Sequence, residues 1–76
     1  MHKDIRNWLV AQRKNAGLSQ CDIAKQLSIA QSYYSRIENG KNQRDMTYSM
    51  IEKLAHALGV TVQEIIDAEK NRHKLA

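Results

Sequence analysis

The chain of 76 residues has no proline, no phenylalanine, three glycines and a single cysteine. Because few residues interrupt its periodic stretches, the composition favours an all-helical domain. One cysteine excludes an intrachain disulfide. No apolar run approaches the length of a membrane span, and nothing resembles a signal peptide, so we expect a cytoplasmic protein without a membrane partner.

The short length also argues against catalysis. A single domain of this size buries only about 60% of its unfolded surface, which leaves little room for an internal cavity. The sequence shows no nucleophile with a base and an orienting partner, and no glycine-rich phosphate loop. His2, His56 and His73 lack metal-ligand spacing with Cys21. We therefore predict that the protein is not an enzyme and holds no metal or cofactor.

Positive charge is concentrated in the first part of the chain. Lys and Arg number 12 against 8 Asp and Glu, which gives a net charge of +4. Residues 1–45 hold eight basic and four acidic residues, or +4, whereas residues 46–76 hold four of each. A surface that binds a polyanion needs such an excess, although a solvated charged face is the ordinary alternative.

Periodic apolar residues and capping signals predict five helices. Ser19 with Asp22, and Thr61 with Glu64, form capping boxes or close variants of them. The helices are expected at residues 4–16, 20–27, 31–39 and 48–58 (with Tyr48 on the inner face), and after residue 61. Residues 1–66 then form the domain, and residues 67–76 form a charged extension that continues the last helix or frays.

The predicted second and third helices, joined by a tight turn, have the layout of a helix-turn-helix, whose second helix enters the DNA major groove. Glutamine can pair with adenine through N7 and N6, arginine with guanine through O6 and N7, and serine with several bases. Such side chains share one face of the third helix. A solvated polar face is the plainer alternative. The candidate base-reading residues are Gln31, Ser32, Ser35 and Arg36.

Several motifs occur in order within residues 5–66. They are Gly17-Leu18-Ser19-Gln20, Ile23-Ala24, Gln31-Ser32-Tyr33, Ser35-Arg36-Ile37-Glu38-Asn39-Gly40-Lys41, and Leu54-Ala55-His56-Ala57-Leu58-Gly59-Val60. In this order the motifs resemble those of the phage repressor/Cro-type (Xre-type) helix-turn-helix family. The resemblance implies a compact, lambda-repressor-like domain of five helices that binds operator-like DNA as a homodimer on a palindrome.

The same resemblance implies roles for residues outside the reading face. Arg13 and Glu38 match positions that form an ion pair. Gln20 matches a position that contacts a phosphate and braces residue 31. Val62 and Ile66, which share a face of the last helix, match the segment that carries the twofold contact. Further phosphate contacts are expected from Tyr33, Asn39, Lys41, Asn42, Gln43 and Arg44, the last four in a polar loop with two positive charges.

The chain departs from the family pattern at four places. Ser28 stands where the turn often has glycine, so a left-handed backbone there costs roughly 1 kcal/mol. Ala30 occupies the usual Ser/Thr cap site of the third helix, which removes a bond worth about 1 kcal/mol. Tyr34 replaces an aliphatic residue and needs a partner for its hydroxyl. The loop after Gly40 is longer than the common form and lacks its proline.

The sequence thus predicts a sequence-specific double-stranded DNA-binding regulator, a repressor that acts on the nucleoid and is controlled by concentration, proteolysis or a partner protein. The alternative is a protein-interaction adaptor or an antitoxin-like partner with the same fold, which would lack the steep salt dependence of a DNA reader. RNA binding is disfavoured because no aromatic-rich strands are present. Cys21, in a first helical turn, is either a redox switch or a plain exposed residue.

Overall fold

The structure is a computed structural model that describes residues 5–40 and 46–74. Within these residues the chain forms five helices and no strand, which confirms the predicted fold class. The helices are α1 (Asn7–Asn15), α2 (Gln20–Leu27), α3 (Gln31–Asn39), α4 (Tyr48–Leu58) and α5 (Val62–Lys74). None of the helices in the described residues is both long and apolar enough to cross a bilayer.

Side-chain caps fix where three of the helices begin. The Ser19 hydroxyl accepts a hydrogen bond from the Asp22 amide at 3.0 Å, and the Asp22 carboxylate accepts one from the Ser19 amide at 3.0 Å. This confirms the predicted capping box of α2. Thr47 and Thr61 cap α4 and α5, each hydroxyl accepting from the amide three residues later at 3.1 Å. Each such cap stabilises its helix by about 1 kcal/mol.

The turn between α2 and α3 has the two departures that the sequence predicts. Ser28 is left-handed, with φ 60°, and its amide donates to the Lys25 carbonyl at 3.1 Å. The Ile29 amide donates to the Ala24 carbonyl at 3.0 Å, which closes the end of α2. Ala30 is the N-cap of α3 and supplies no side-chain hydrogen bond. The turn therefore combines backbone strain with a missing cap, each costing about 1 kcal/mol.

A small apolar core joins the helices. Helix α2 packs against α3 and α4, α1 packs against α3, and α4 packs against α5. Since α3 is covered by α1 and α2 on its inner side, its polar side is left facing outward. Among the described residues the buried apolar side chains are Leu9, Ile23, Ala24, Leu27, Tyr34, Ile37, Met50, Leu54, Ala55 and Ile65.

Tyr48 corrects the sequence prediction for α4. We expected its side chain on the inner face, but it is 63% exposed, and Met50 lies in the core instead. The Cα–Cβ bonds of a helix tilt toward its N-terminus. A side chain at the first helical position therefore extends past the helix end and beyond the core.

Helix α1 begins at Asn7 instead of near residue 4, which lies outside the described residues. Arg6 has a non-helical backbone, with ψ 78°. Its amide donates to the Glu38 carbonyl at 2.7 Å. Arg6 is thus bound to the end of α3 with a non-helical backbone, so α1 starts at the next residue.

Arg6 is a buried charge that the sequence analysis missed. Its side chain is fully buried, and its Nε donates to both carboxylate oxygens of Glu69 at 3.1 and 3.0 Å. Its Nη1 donates to the Ile37 carbonyl at 2.6 Å, and the Trp8 indole donates to Glu69 at 2.9 Å. Helix α5 continues unbroken across the expected boundary at residue 66. Through Glu69, the later part of α5 therefore connects the start of α1 to the end of α3.

We predict that Glu69→Ala lowers the free energy of unfolding by about 3–5 kcal/mol, because it leaves the Arg6 guanidinium buried without its counter-charge. Urea denaturation followed by far-UV circular dichroism measures this loss. Glu52→Ala, which removes an exposed carboxylate on α4, is the matched control and should stay within about 0.5 kcal/mol of wild type. Equal small losses in both variants would contradict the role given to Glu69.

Candidate nucleic-acid interface

Helix α3 has one buried face and one exposed face. Tyr34, Ile37 and Glu38 are buried. On the opposite side Gln31, Ser32, Arg36 and Asn39 are exposed, and Ser35 is half-buried. The four candidate base-reading side chains therefore lie on the first two turns of one helix, at spacings that put them on a common face. These turns are the part of such a helix that reaches base edges.

The Arg36 side chain lies over a neighbouring aromatic ring. Its guanidinium carbon is 4.8 Å from the centroid of the Tyr33 ring. Tyr33 is half-buried and packs against the core. The geometry is that of a cation–π contact. Tyr33 was expected only as a phosphate contact, and its contact with Arg36 was not predicted, although an i, i+3 spacing on a helix could have indicated it.

The end of α3 is anchored through the carboxylate of Glu38. Arg13 donates from Nε to Oε2 at 2.6 Å, which is an ion pair between α1 and α3. The Tyr34 hydroxyl donates to the same oxygen at 2.6 Å, and Gln20 Nε2 donates to Oε1 at 2.9 Å. Arg13 also donates to the Leu18 carbonyl at 2.9 Å. Three helices thus meet at one buried carboxylate, and Tyr34 has the partner that its hydroxyl needs.

The ionisation of this cluster follows from its contacts. Burial by itself raises the pKa of Glu38, but the hydrogen bonds from Arg13, Tyr34 and Gln20 and the charge of Arg13 outweigh it, so the pKa lies below the ordinary 4.5. Burial, together with the hydrogen bond and charge of Glu38, raises the pKa of the Tyr34 hydroxyl. Near neutral pH the cluster therefore holds an ionised carboxylate and a protonated phenol.

Gln20 joins the first turn of α2 to this cluster. It is half-buried, and one amide hydrogen is used on Glu38. A glutamine amide carries a second donor hydrogen and a carbonyl acceptor. One side chain can therefore anchor α3 and still offer a polar group to a ligand. Cys21, the next residue, is exposed.

Part of the expected phosphate-contacting set lies outside the described residues. These are Lys41, Asn42, Gln43 and Arg44, which follow Gly40 in the chain. His2 lies outside as well, and the structure describes no side chain for His73. In the described part of the chain, no three His, Cys, Asp or Glu side chains are grouped to hold a metal ion.

The expected dimer residues on α5 are only half exposed. Ile65 is buried in the core at 2% exposure. Val62 is half-buried and packs against that core. Part of the Val62 side chain is therefore already used in the core of the monomer. Ile66 is also half-buried.

The sequence is similar to a known protein family and to several known proteins. A helix-turn-helix family model matches residues 9–65. Control protein C.MunI of Mycoplasma sp is 38% identical over 60 residues, covering 78% of each chain. An uncharacterized HTH-type transcriptional regulator, YqaF, of Bacillus subtilis (strain 168) is 29% identical over 72 residues, covering 92% of this chain and 95% of that one.

A third relative is a hypothetical transcription factor of Neisseria meningitidis serogroup B. It is 35% identical over 63 residues, which is 83% of this chain and 58% of the relative. No solved structure matches the chain significantly. The match over residues 9–65 includes α2, α3 and α4 in full, whereas Arg6 and Glu69 lie on either side of it.

We predict that Glu38→Gln destabilises the protein by about 3 kcal/mol at pH 7, since the charge of Arg13 is left without its buried partner. The folded-state pKa of Glu38 lies below 4.5. Its contribution is therefore complete above that pH and is lost as the pH falls through the folded-state pKa. Urea titrations at several pH values should show the gap between wild type and variant closing toward acid, and a gap independent of pH would contradict this assignment.

Proposed function

The chain belongs to the helix-turn-helix family in its phage repressor/Cro (Xre) form, and from this premise we propose that it is a sequence-specific regulator that reads the major groove of double-stranded DNA with α3. The observation that carries the proposal is the exposed polar face of a helix whose opposite face is buried. The relatives named as a control protein and as an HTH-type transcriptional regulator support a regulatory role.

Direct readout would come from the first two turns of α3. Gln31 suits an adenine, to which an amide donates and accepts one bond each, and Arg36 suits a guanine, to which it donates two. Ser32 and Ser35 can donate to or accept from a base edge or a phosphate. A helix with such groups on one face can distinguish base pairs, because the major groove presents a different donor and acceptor pattern for each.

Backbone contacts would come from residues on either side of the reading face. The second donor of Gln20 and the first-turn amides of α2 suit a phosphate. Asn39 and the hydroxyl of Tyr33 can donate to phosphates as well. The positive excess of residues 1–45 supports such contacts, and the remaining members of the set are Lys41, Asn42, Gln43 and Arg44.

We propose repression as the outcome, since a protein bound over an operator occludes it. The domain would act in the cytoplasm on nucleoid DNA, without enzymatic activity. A homodimer would place two copies of α3 one helical turn of DNA apart, about 34 Å, and so read a palindrome-like operator. The twofold contact is assigned to α5, where Val62 and Ile66 share a face. A regulatory partner protein would bind these same surfaces.

Base-reading contacts and phosphate contacts can be distinguished by selecting, from a random pool, the duplexes that each variant binds. Arg36→Ala should weaken binding to the preferred operator by roughly 1–3 kcal/mol and relax the preference at one base position in each half-site.

Lys41→Ala and Arg44→Ala should instead weaken binding to all sequences about equally and lower the salt slope by about one unit each. Lys70→Ala on α5, which removes the same charge from an exposed site, serves as the control.

An unchanged selected motif in Arg36→Ala would mean that Arg36 reads no base. A wild-type protein that selects no motif, and whose binding to any duplex is insensitive to salt, would contradict DNA recognition altogether and favour the adaptor function. The salt titration therefore discriminates between the two classes of protein with a single preparation.

We predict that Ile66→Glu abolishes cooperative operator binding and leaves the monomer folded, because two copies would place like charges across an isologous contact. Ile66 is the better position than Val62, whose side chain packs on the core. Gln63→Glu adds the same charge at an exposed site of α5 and should remain cooperative. Sedimentation and circular dichroism read out assembly and fold, and a dimeric Ile66→Glu protein on DNA would exclude this interface.

A further inference from the structure

Tyr33 and Arg36 form a pair within α3 that the base-reading role does not by itself require. The guanidinium carbon of Arg36 lies 4.8 Å from the Tyr33 ring centroid. The two residues are three apart, so they neighbour each other on the helix surface. Tyr33 is half-buried and packed against the core, whereas Arg36 is exposed. A ring fixed by the core thus lies beside a long, rotamer-rich side chain.

The cation–π contact suits a base-reading arginine. A guanidinium is planar, and an aromatic ring contacts its face. Its N–H donors lie in the plane and project from the edge, which is the edge that pairs with guanine O6 and N7. A contact with a ring that is packed against the core therefore restricts where the Arg36 guanidinium can lie before DNA is bound. Because less side-chain freedom is lost on binding, a pre-oriented arginine binds its base more tightly.

We propose that Tyr33 is a specificity-determining positioning residue, whose ring holds the Arg36 guanidinium in the orientation that reads guanine. The inference rests on the proposed DNA-reading function and deepens it. It gives the ring of Tyr33 a role separate from that of its hydroxyl. A hydroxyl bonded to a phosphate affects all sequences alike, whereas a ring that orients Arg36 affects only the base that Arg36 reads.

The test compares five proteins on the wild-type operator and on duplexes with a single changed base at each position. They are wild type, Tyr33→Leu, Tyr33→Phe, Arg36→Ala and the double variant Tyr33→Leu/Arg36→Ala. Tyr33→Leu should lower the preference for guanine at the position that Arg36→Ala relaxes, by roughly two- to fivefold, and leave the other positions unchanged. Tyr33→Phe keeps the ring and should keep the preference. In the Arg36→Ala background, Tyr33→Leu should have no further effect at that base.

Two results separate the failure of this inference from the failure of the proposed function. If Arg36→Ala relaxes a base position and Tyr33→Leu weakens all duplexes equally, DNA reading stands and the positioning role is overturned. If wild type prefers no sequence, both are overturned. Loss of the base preference in Tyr33→Phe would likewise overturn the role of the ring, since it would assign the preference to the hydroxyl.

A measurement without DNA tests the contact itself. Protons above an aromatic ring resonate upfield, so the Arg36 side-chain signals of the free protein should move downfield in Tyr33→Leu and stay in place in Tyr33→Phe. Circular dichroism checks that each variant is folded. Should Leu destabilise this half-buried site, Tyr33→Met fills it with a longer flexible chain and no ring. Arg36 signals that are identical in wild type and in a folded variant without the ring would overturn the inference.

Discussion

The end of α3 is held by two arginines, one fully buried and one partly buried, that bind it in different ways. Arg13 binds the carboxylate of Glu38, while Arg6 binds the backbone, through the carbonyls of Ile37 and Glu38. Removing one partner of a buried charge pair is costly, because the other charge is left buried away from water and without a counter-charge. The rest of the fold is arranged around this constraint, since α1, α2 and α5 each contribute a group to one of the two arginine sites.

This arrangement connects stability to recognition. A helix that reads base edges must present its side chains with little movement, because misplacement of a hydrogen-bonding group leaves polar atoms unpaired at the interface. The carboxylate cluster fixes the buried side of α3, and on the exposed side the Arg36 guanidinium carbon lies 4.8 Å from the Tyr33 ring centroid. Glu69 extends the support to α5. It pairs with Arg6, and these two residues flank the segment that the family model covers.

Local signals explain which features the sequence predicts. The bounds of α2, α3 and α4 follow from caps, glycines and apolar periodicity, which act within a few residues of each helix end. The prediction for Tyr48 is wrong because apolar periodicity shows on which side of a helix a residue lies, but not whether the core extends as far as the first helical residue. The Arg6–Glu69 pair joins positions 63 apart in the chain, so no local pattern indicates it, and an arginine is rarely buried without such a partner. The Tyr33–Arg36 contact joins residues three apart, yet only the structure shows that the arginine contacts this neighbour on the helix.

We propose that α3, fixed at its end by Glu38, enters the major groove of its operator. Intermolecular nuclear Overhauser effects in the complex with a selected duplex test this most directly. We expect contacts between side-chain protons of residues 31, 32, 35 and 36 and major-groove base protons such as thymine methyls and cytosine H5. Base contacts made only by α4 or α5, or a complex without base contacts from α3, would contradict it.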